Sequence, residues 1–216
     1  MAPRIVDREE KARQIIHHAS VVFARKGYNA TKIDDVAASA GIGKGTVYEY
    51  FNSKQELFLA VFDAYIKQYF DALQAQTRRP SASAAEEIRE AVRAACALAG
   101  QVEELFPLTF EFWAASASSQ MRDRIGVMFR EMYDRFRRFF SALIQRGILS
   151  GEFSRNVDVE STAAVLVGSF DGLFLQAWFD KKMDPMKAGL AFIDVFLRGL
   201  KAPASEPGTG GAHAPA

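Results

Sequence analysis

Gly41-Ile42-Gly43-Lys44-Gly45-Thr46-Val47-Tyr48-Glu49-Tyr50-Phe51-Asn52-Ser53-Lys54 is the stretch whose reading decides the fold. Val47 and Phe51 lie four apart, so they share one helical face that can be buried. Lys44, Thr46, Tyr48, Glu49 and Tyr50 fall mostly on the other side, where they set a charge, a hydroxyl and aromatic rings within two turns. A short helix of this kind suits a groove walled by phosphates and floored by base edges. Just upstream, Thr31-Lys32-Ile33-Asp34 offers an N-cap hydroxyl with an acid three residues on, and Ile33, Val36, Ala37 and Ala40 form a short apolar stripe. Gly41 ends that helix, Ile42 pins the turn, and the next helix starts near Lys44. Two short helices across a tight glycine turn are the geometry of a helix-turn-helix.

Working outward, residues 8–26 read as a supporting helix with Ala12, Ile15, Ile16, Ala19, Val22 and Phe23 at helical spacing, closed by Gly27. His17 and His18 are adjacent, about 100° apart on a helix, and cannot chelate one metal as an i, i+4 pair would. On the other side, Ser53-Lys54-Gln55-Glu56 is a capping box that opens a long helix to about residue 77. At ~1.5 Å per residue this is a rod of roughly 35 Å, a natural lever between a head and the C-terminal part of the chain.

The rest of the chain reads as helices. One runs from about 84 to 99 and stops at Gly100; another has Pro107 in its first turn; a long one covers 120–146 and ends at Gly147. A helix from Asp158 to about Asp180 carries one apolar stripe and a patch of small residues, Gly168, Ser169 and Gly172, that permits close approach of a neighbour. After Asp184-Pro185 the last helix, to about Leu200, is apolar nearly all round (Leu190, Ile193, Phe196 and Leu197 among others), so it needs cover from its own core and from a partner chain. Residues 202–216 are rich in Pro, Gly and Ala and read as a disordered tail. The expected fold is all-α with about nine helices and no strand. Its expected domains are an N-terminal arm and helix-turn-helix over 1–52 and a ligand-binding and dimerisation domain over 53–201, in which 53–77 is the connecting helix.

Composition sets the outer bounds. The chain has 216 residues, 49% hydrophobic, with no apolar run expected to span a bilayer and no signal-peptide core at its start, and one cysteine, Cys96, which fits a reducing cytoplasm. Net charge is only +1, but residues 1–54 hold nine basic against six acidic side chains, a local +3 where the motif sits. Cys96 lies among alanines and reads as a small buried hydrophobe. The sequence has no metal-ligand spacing, phosphate loop or nucleophile elbow, so no catalytic residue, metal or cofactor is expected and the chain is not read as an enzyme.

Thr31, Asp35, Val36, Ala37, Ala40-Gly41-Ile42, Lys44-Gly45-Thr46-Val47-Tyr48, Tyr50-Phe51 and Ser53-Lys54 together resemble the DNA-binding domain of the TetR/AcrR transcriptional regulators. Gly43 departs from the family, which often has Ser there. The resemblance implies that Thr31, Tyr48 and Lys54 contact phosphate, and that Lys44, Gly45, Thr46 and Tyr50 face the major groove. Glu49 could accept from a cytosine amino group. It also implies a ligand cavity, for which Tyr65, Tyr69, Phe106, Phe110, Trp113, Phe129, Tyr133, Phe136, Phe174 and Trp178 are candidates, though aromatics at this spacing equally form core. Glu111 and Asp171 could meet a cationic ligand. The last two helices of such proteins usually form a four-helix dimer bundle.

The function this implies is that of a cytoplasmic homodimeric repressor. It would bind a near-palindromic duplex operator and be released by a small apolar or amphipathic effector, with no membrane partner. Two alternatives stand beside it: an activator or acyl-CoA-responsive regulator of the same family, and, from another class, a helical ligand-binding module that no longer binds DNA.

Overall fold

The computed structural model of the chain describes residues 5–77, 83–101, 106–117 and 121–202. Among them are nine helices and no strand: α1 (Ile5–Ala30), α2 (Ile33–Ala40), α3 (Lys44–Tyr50), α4 (Lys54–Gln76), α5 (Ala84–Gln101), α6 (Pro107–Ala117), α7 (Arg122–Leu149), α8 (Val159–Phe179) and α9 (Pro185–Leu200). The expected tail lies outside the described residues beyond Ala202. The chain forms two compact units, one of Met1–Arg78 with Ala94–Phe136, the other of Arg79–Arg93 with Arg137–Ala216.

In the first unit the supporting helix α1 sets Ile15, Ala19 and Phe23 at zero exposure against Val36 of α2, Val47 of α3 and Leu57 and Phe58 of α4. Leu108 and Phe112 of α6 and Ile125 of α7 complete the same core. Phe58 sits at its centre, with ring centroids 5.1 Å from Phe23, 4.6 Å from Tyr28 and 4.5 Å from Phe112. The expected spacing of α1 therefore buries the face it should. Its end differs: Gly27 does not close the helix but kinks it, at φ 76°, ψ 162°, and helical turns resume to Ala30. That conformation suits a residue without a Cβ.

The kink displaces the next cap. Thr31, expected to cap α2, donates its hydroxyl to the Gly27 carbonyl at 2.7 Å. Lys32 becomes the N-cap, and the Asp35 carboxylate accepts from the Lys32 N–H at 2.9 Å. At the other end Gly41 adopts the left-handed conformation (φ 65°), and the Ile42 N–H reaches back to the Ala37 carbonyl at 3.0 Å, so Ile42 pins the turn as expected. Ser53 caps α4 by accepting from the Glu56 N–H at 3.1 Å. The reciprocal half of that capping box goes one residue further back, since Glu56 accepts from the backbone and side chain of Asn52, each at 2.9 Å.

The second unit contains α8 and α9, each opened by an aspartate: Asp158 accepts from the Ser161 N–H and Asp184 from the Lys187 N–H. Ala163, Leu166, Val167 and Phe170 of α8 pack inward with Ile193, Leu197 and Leu200 of α9 buried likewise. The stop expected at Gly147 is absent: this glycine lies inside α7, where the Phe153 ring packs against its bare Cα and the Phe153 N–H bonds its carbonyl at 3.0 Å. α7 ends instead at Leu149, before Gly151 at φ 80°. Gly100, also expected as a stop, is inside α5. One isolated bridge, Phe153 with Lys201, ties the chain after α7 to the end of α9.

The expectation that no apolar run spans a bilayer needs correcting. α8, at 21 residues, is long and apolar enough to do so by length and composition. The physical reason is that it is apolar on both faces, one packed inward and one bearing Val165 and Phe179 outward.

Candidate nucleic-acid interface

α3 is only seven residues long, so its placement comes from its anchors rather than its own propensity. Val47 is fully buried and Phe51 nearly so, which turns Gly45, Tyr48 and Glu49 outward. Tyr48 is 45% exposed, a large aromatic left in water. Thr46 and Tyr50 flank this face, half-buried. The Arg8 guanidinium, from the start of α1, lies 5.7 Å over the Tyr50 ring and reaches the Glu49 carbonyl at 3.5 Å, across the C-terminal end of α3.

Lys44, the first residue of α3, is exposed, and its ammonium donates to the Asp34 carboxylate of α2 at 2.8 Å. That hydrogen bond and the opposite charge raise the Lys44 pKa above its ordinary value. The neighbouring Asp35 is held below the usual carboxylate range by the Lys26 ammonium, at 2.7 Å, and then by the Lys32 N–H. The motif thus carries two ion pairs, one inside it and one back to α1.

Two residues expected on the phosphate side are engaged inward. Thr31 is 1% exposed, with its hydroxyl on Gly27. The Lys54 ammonium donates to the carbonyls of Tyr28 (2.8 Å), Thr31 (3.0 Å) and Asn29 (3.3 Å), and sits 4.4 Å over the Tyr28 ring. It caps the C-terminal end of α1, whose last carbonyls have no helical partner. Sequence reasoning missed this because the partners are 23 to 26 residues away. Glu111 of α6 is likewise engaged: its carboxylate accepts from the Tyr28 N–H at 2.8 Å and lies against the bare Cα of Gly27. The acid expected to meet a cationic ligand instead holds the kink in α1.

The candidate ligand residues divide. In the first unit Tyr69 donates to the Ala95 carbonyl at 2.9 Å and lies 6.0 Å from Phe136. Burial pushes the Tyr65 phenol up to about 12 and raises Tyr69 further. Phe129 packs between Phe62 (5.1 Å) and Tyr133 (6.3 Å), and Phe110 between Phe106 (5.5 Å) and Trp113 (6.2 Å). In the second unit Phe174 lies 5.9 Å from Phe170, and the Lys181 ammonium sits 4.2 Å over Trp178. Of the candidate dimer residues, Ile193 and Leu197 are buried within their own chain, Leu190, Phe196 and Gly172 are half-buried, and Gly168 is exposed.

Residues 15–61 match the model of the bacterial regulatory proteins of the tetR family, and residues 84–201 that of the C-terminal region of BetI-type transcriptional repressors. The chain is 27% identical to the HTH-type transcriptional regulator YfiR of Bacillus subtilis, over 84% of this chain and 88% of that one. Its fold is that of the Bacillus subtilis transcriptional regulator FadR in complex with stearoyl-CoA (TM-score 0.74, 22% identity, 87% and 98% of the two chains). It is equally that of a Saccharomonospora viridis regulator in complex with choline (TM-score 0.75, 23% identity, 90% and 100%). With the C-terminal match alone spanning more than half of its length, the chain belongs to the TetR family and is a DNA-binding transcriptional regulator.

Proposed function

We propose that the protein is a homodimeric repressor that works in the cytoplasm by binding, not catalysis, and occupies a near-palindromic operator through two copies of α3 until a small amphipathic effector releases it. The observation that carries this reading is the outward face of α3: Lys44, Gly45, Tyr48 and Glu49 stand exposed on a helix fixed from behind by buried Val47. A helix so held presents side chains to a major groove, and two-fold symmetry would set a second copy on the next half-site. Dimerisation through α8 and α9 is supported by their outward apolar positions, Val165 (67% exposed), Phe179 (75%) and Val195 (60%), around Gly168 and Gly172, where nothing crowds the Cα.

For the effector, an acyl-chain compound is favoured over a small cation. The first unit offers rows of apolar rings from α4, α6 and α7, whereas its acid Glu111 is taken by Tyr28. A relative solved with stearoyl-CoA supports the first chemistry, and one solved with choline the second. The effector must bind the released and DNA-bound states unequally to act. The test is selection from random duplexes, followed by titration of the selected duplex complex with stearoyl-CoA and with choline. A two-fold symmetric motif released by stearoyl-CoA is expected. A folded dimer that enriches no sequence would refute DNA reading; release by choline alone would refute the acyl-chain assignment.

A further inference from the structure

We propose, resting on the reading of α3 as the groove-facing helix, that Arg8 at the start of α1 is a contact to the DNA backbone. Arg8 lies upstream of residues 15–61, the segment that matches the family model, and the resemblance gives it no role. Its side chain is exposed and yet held in place. The guanidinium lies 5.7 Å over the Tyr50 ring and donates to the Glu49 carbonyl at 3.5 Å.

Neither partner neutralises the charge. Glu9 and Glu10, next to Arg8 in sequence, turn to Arg13 instead, and among the described residues no carboxylate pairs with Arg8. Lys44 and Lys26 would each have to leave a carboxylate, Asp34 or Asp35, to meet DNA. Arg8 leaves at most one long hydrogen bond, and a guanidinium has five N–H donors to share between the carbonyl and a phosphate. Its place on the head matters as much as its charge. Buried Val47 and Phe51 turn Gly45, Tyr48 and Glu49 outward and leave Tyr50, which Arg8 covers, on the flank of α3. A helix with its side chains is about 10–12 Å across and a major groove about 12 Å wide, so a cation on the flank meets the phosphate wall rather than the base edges. A planar fork already steadied by a ring loses little freedom when it pairs with a phosphate. Arg8 therefore adds affinity and fixes register on every sequence alike, without choosing between sequences.

The test compares Arg8→Gln, Arg8→Lys and Arg13→Gln in the full chain, each titrated across salt on a random-sequence duplex and on the duplex selected by the wild-type protein, with thermal unfolding alongside. Arg8→Gln is expected to flatten the salt dependence by about one ion per docked head on both duplexes, and to weaken binding to both about five- to tenfold per head in about 0.1 M salt. Arg8→Lys should keep the slope, because it keeps the charge. Arg13→Gln, which removes the same charge from the same helix but from a residue held by Glu10, should change the slope by less than about half an ion. An unchanged slope in Arg8→Gln, whatever its Tm, would leave Arg8 as no more than a cap on α3 and overturn the inference. A loss confined to the selected duplex, or equal flattening by Arg13→Gln, would overturn it too, in favour of base reading or of net charge. A wild-type protein that binds neither duplex would overturn DNA reading by α3 along with it.

Discussion

Lys54→Met tests most directly what the structure changes in the reading of the head. Were Lys54 a phosphate contact, its loss would leave the fold alone and flatten the salt dependence of DNA binding by about one ion. The structure gives the ammonium to three carbonyls at the end of α1 and to the Tyr28 ring. A hydrogen bond to a charged group contributes about 1.5–3 kcal/mol, and three sharing one ammonium do not add. A cation at a helix C-terminus adds about 0.3–1 kcal/mol and one over an aromatic face about 0.5–1 kcal/mol. Methionine keeps the stem and loses all of these, so a destabilisation of about 2–4 kcal/mol is expected. For a chain of this size that is a fall in Tm of roughly 5–15 °C. The salt slope of DNA binding, measured well below the new Tm, should be unchanged. A Tm within about 1 °C of wild type together with a slope flatter by about one would refute the capping role and return Lys54 to the phosphate surface.

Glu111→Ala removes the acceptor of the half-buried Tyr28 N–H and should cost about 1–3 kcal/mol in thermal or urea unfolding; an unchanged midpoint would mean water replaces the carboxylate without loss. Val165→Glu and Val195→Glu place charges on positions that are open in the single chain, so the monomer should keep its helicity while sedimentation shows dimer association weakened by at least about tenfold; a dimer of wild-type strength would remove α8 and α9 from the interface. Acid should loosen the joint between α5 and the segment after α7. Burial raises the Glu152 pKa, but the Ser83 hydroxyl, the Ala85 and Ala84 N–H groups and Lys201 outweigh it and hold it below its ordinary 4.5. A depressed folded-state pKa gives stability that is complete above 4.5 and lost as pH falls through the folded value, and Glu152→Gln should flatten that part of the stability profile.

What was legible in the sequence was local. The apolar spacing of α1, the turn at Gly41–Ile42, the Ser53 cap and the Asp158 and Asp184 starts depend on residues within four or five positions, and each forms where expected. What was not legible depends on distant partners. Gly27 reads as a helix stop, and only α6, which brings Glu111 to its Cα and to the Tyr28 N–H, explains why α1 resumes after a kink. Gly147 likewise reads as a stop, and only Phe153, whose ring leaves no room for a Cβ there, explains a glycine inside α7. At the candidate interface, the face of α3 followed from Val47 and Phe51. The engagement of Lys44 with Asp34, ten residues away across a turn, did not, since a pattern of helical spacings carries no information about contacts between helices.

These long-range contacts converge on one place. Residues 27–31 receive Glu111 from α6 and Lys54 from α4, while Thr31 closes the turn from within and leads directly into α2. α6 and α4 also supply rings to the aromatic rows of the first unit, through Phe110 and Phe112 on one and Phe62 and Tyr69 on the other. A ligand that parted those rings would have to move α6 or α4, and neither can shift by much more than an ångström without breaking its hydrogen bond to the end of α1 or dragging it along. Breaking leaves a half-buried N–H or a set of carbonyls unsatisfied, so dragging is the cheaper course. On the proposed reading, effector binding therefore reaches α2 and α3 through the Gly27–Thr31 joint. Glu111→Ala should then retain operator binding while losing much of its response to stearoyl-CoA, and a response undiminished in a folded variant would place the coupling elsewhere.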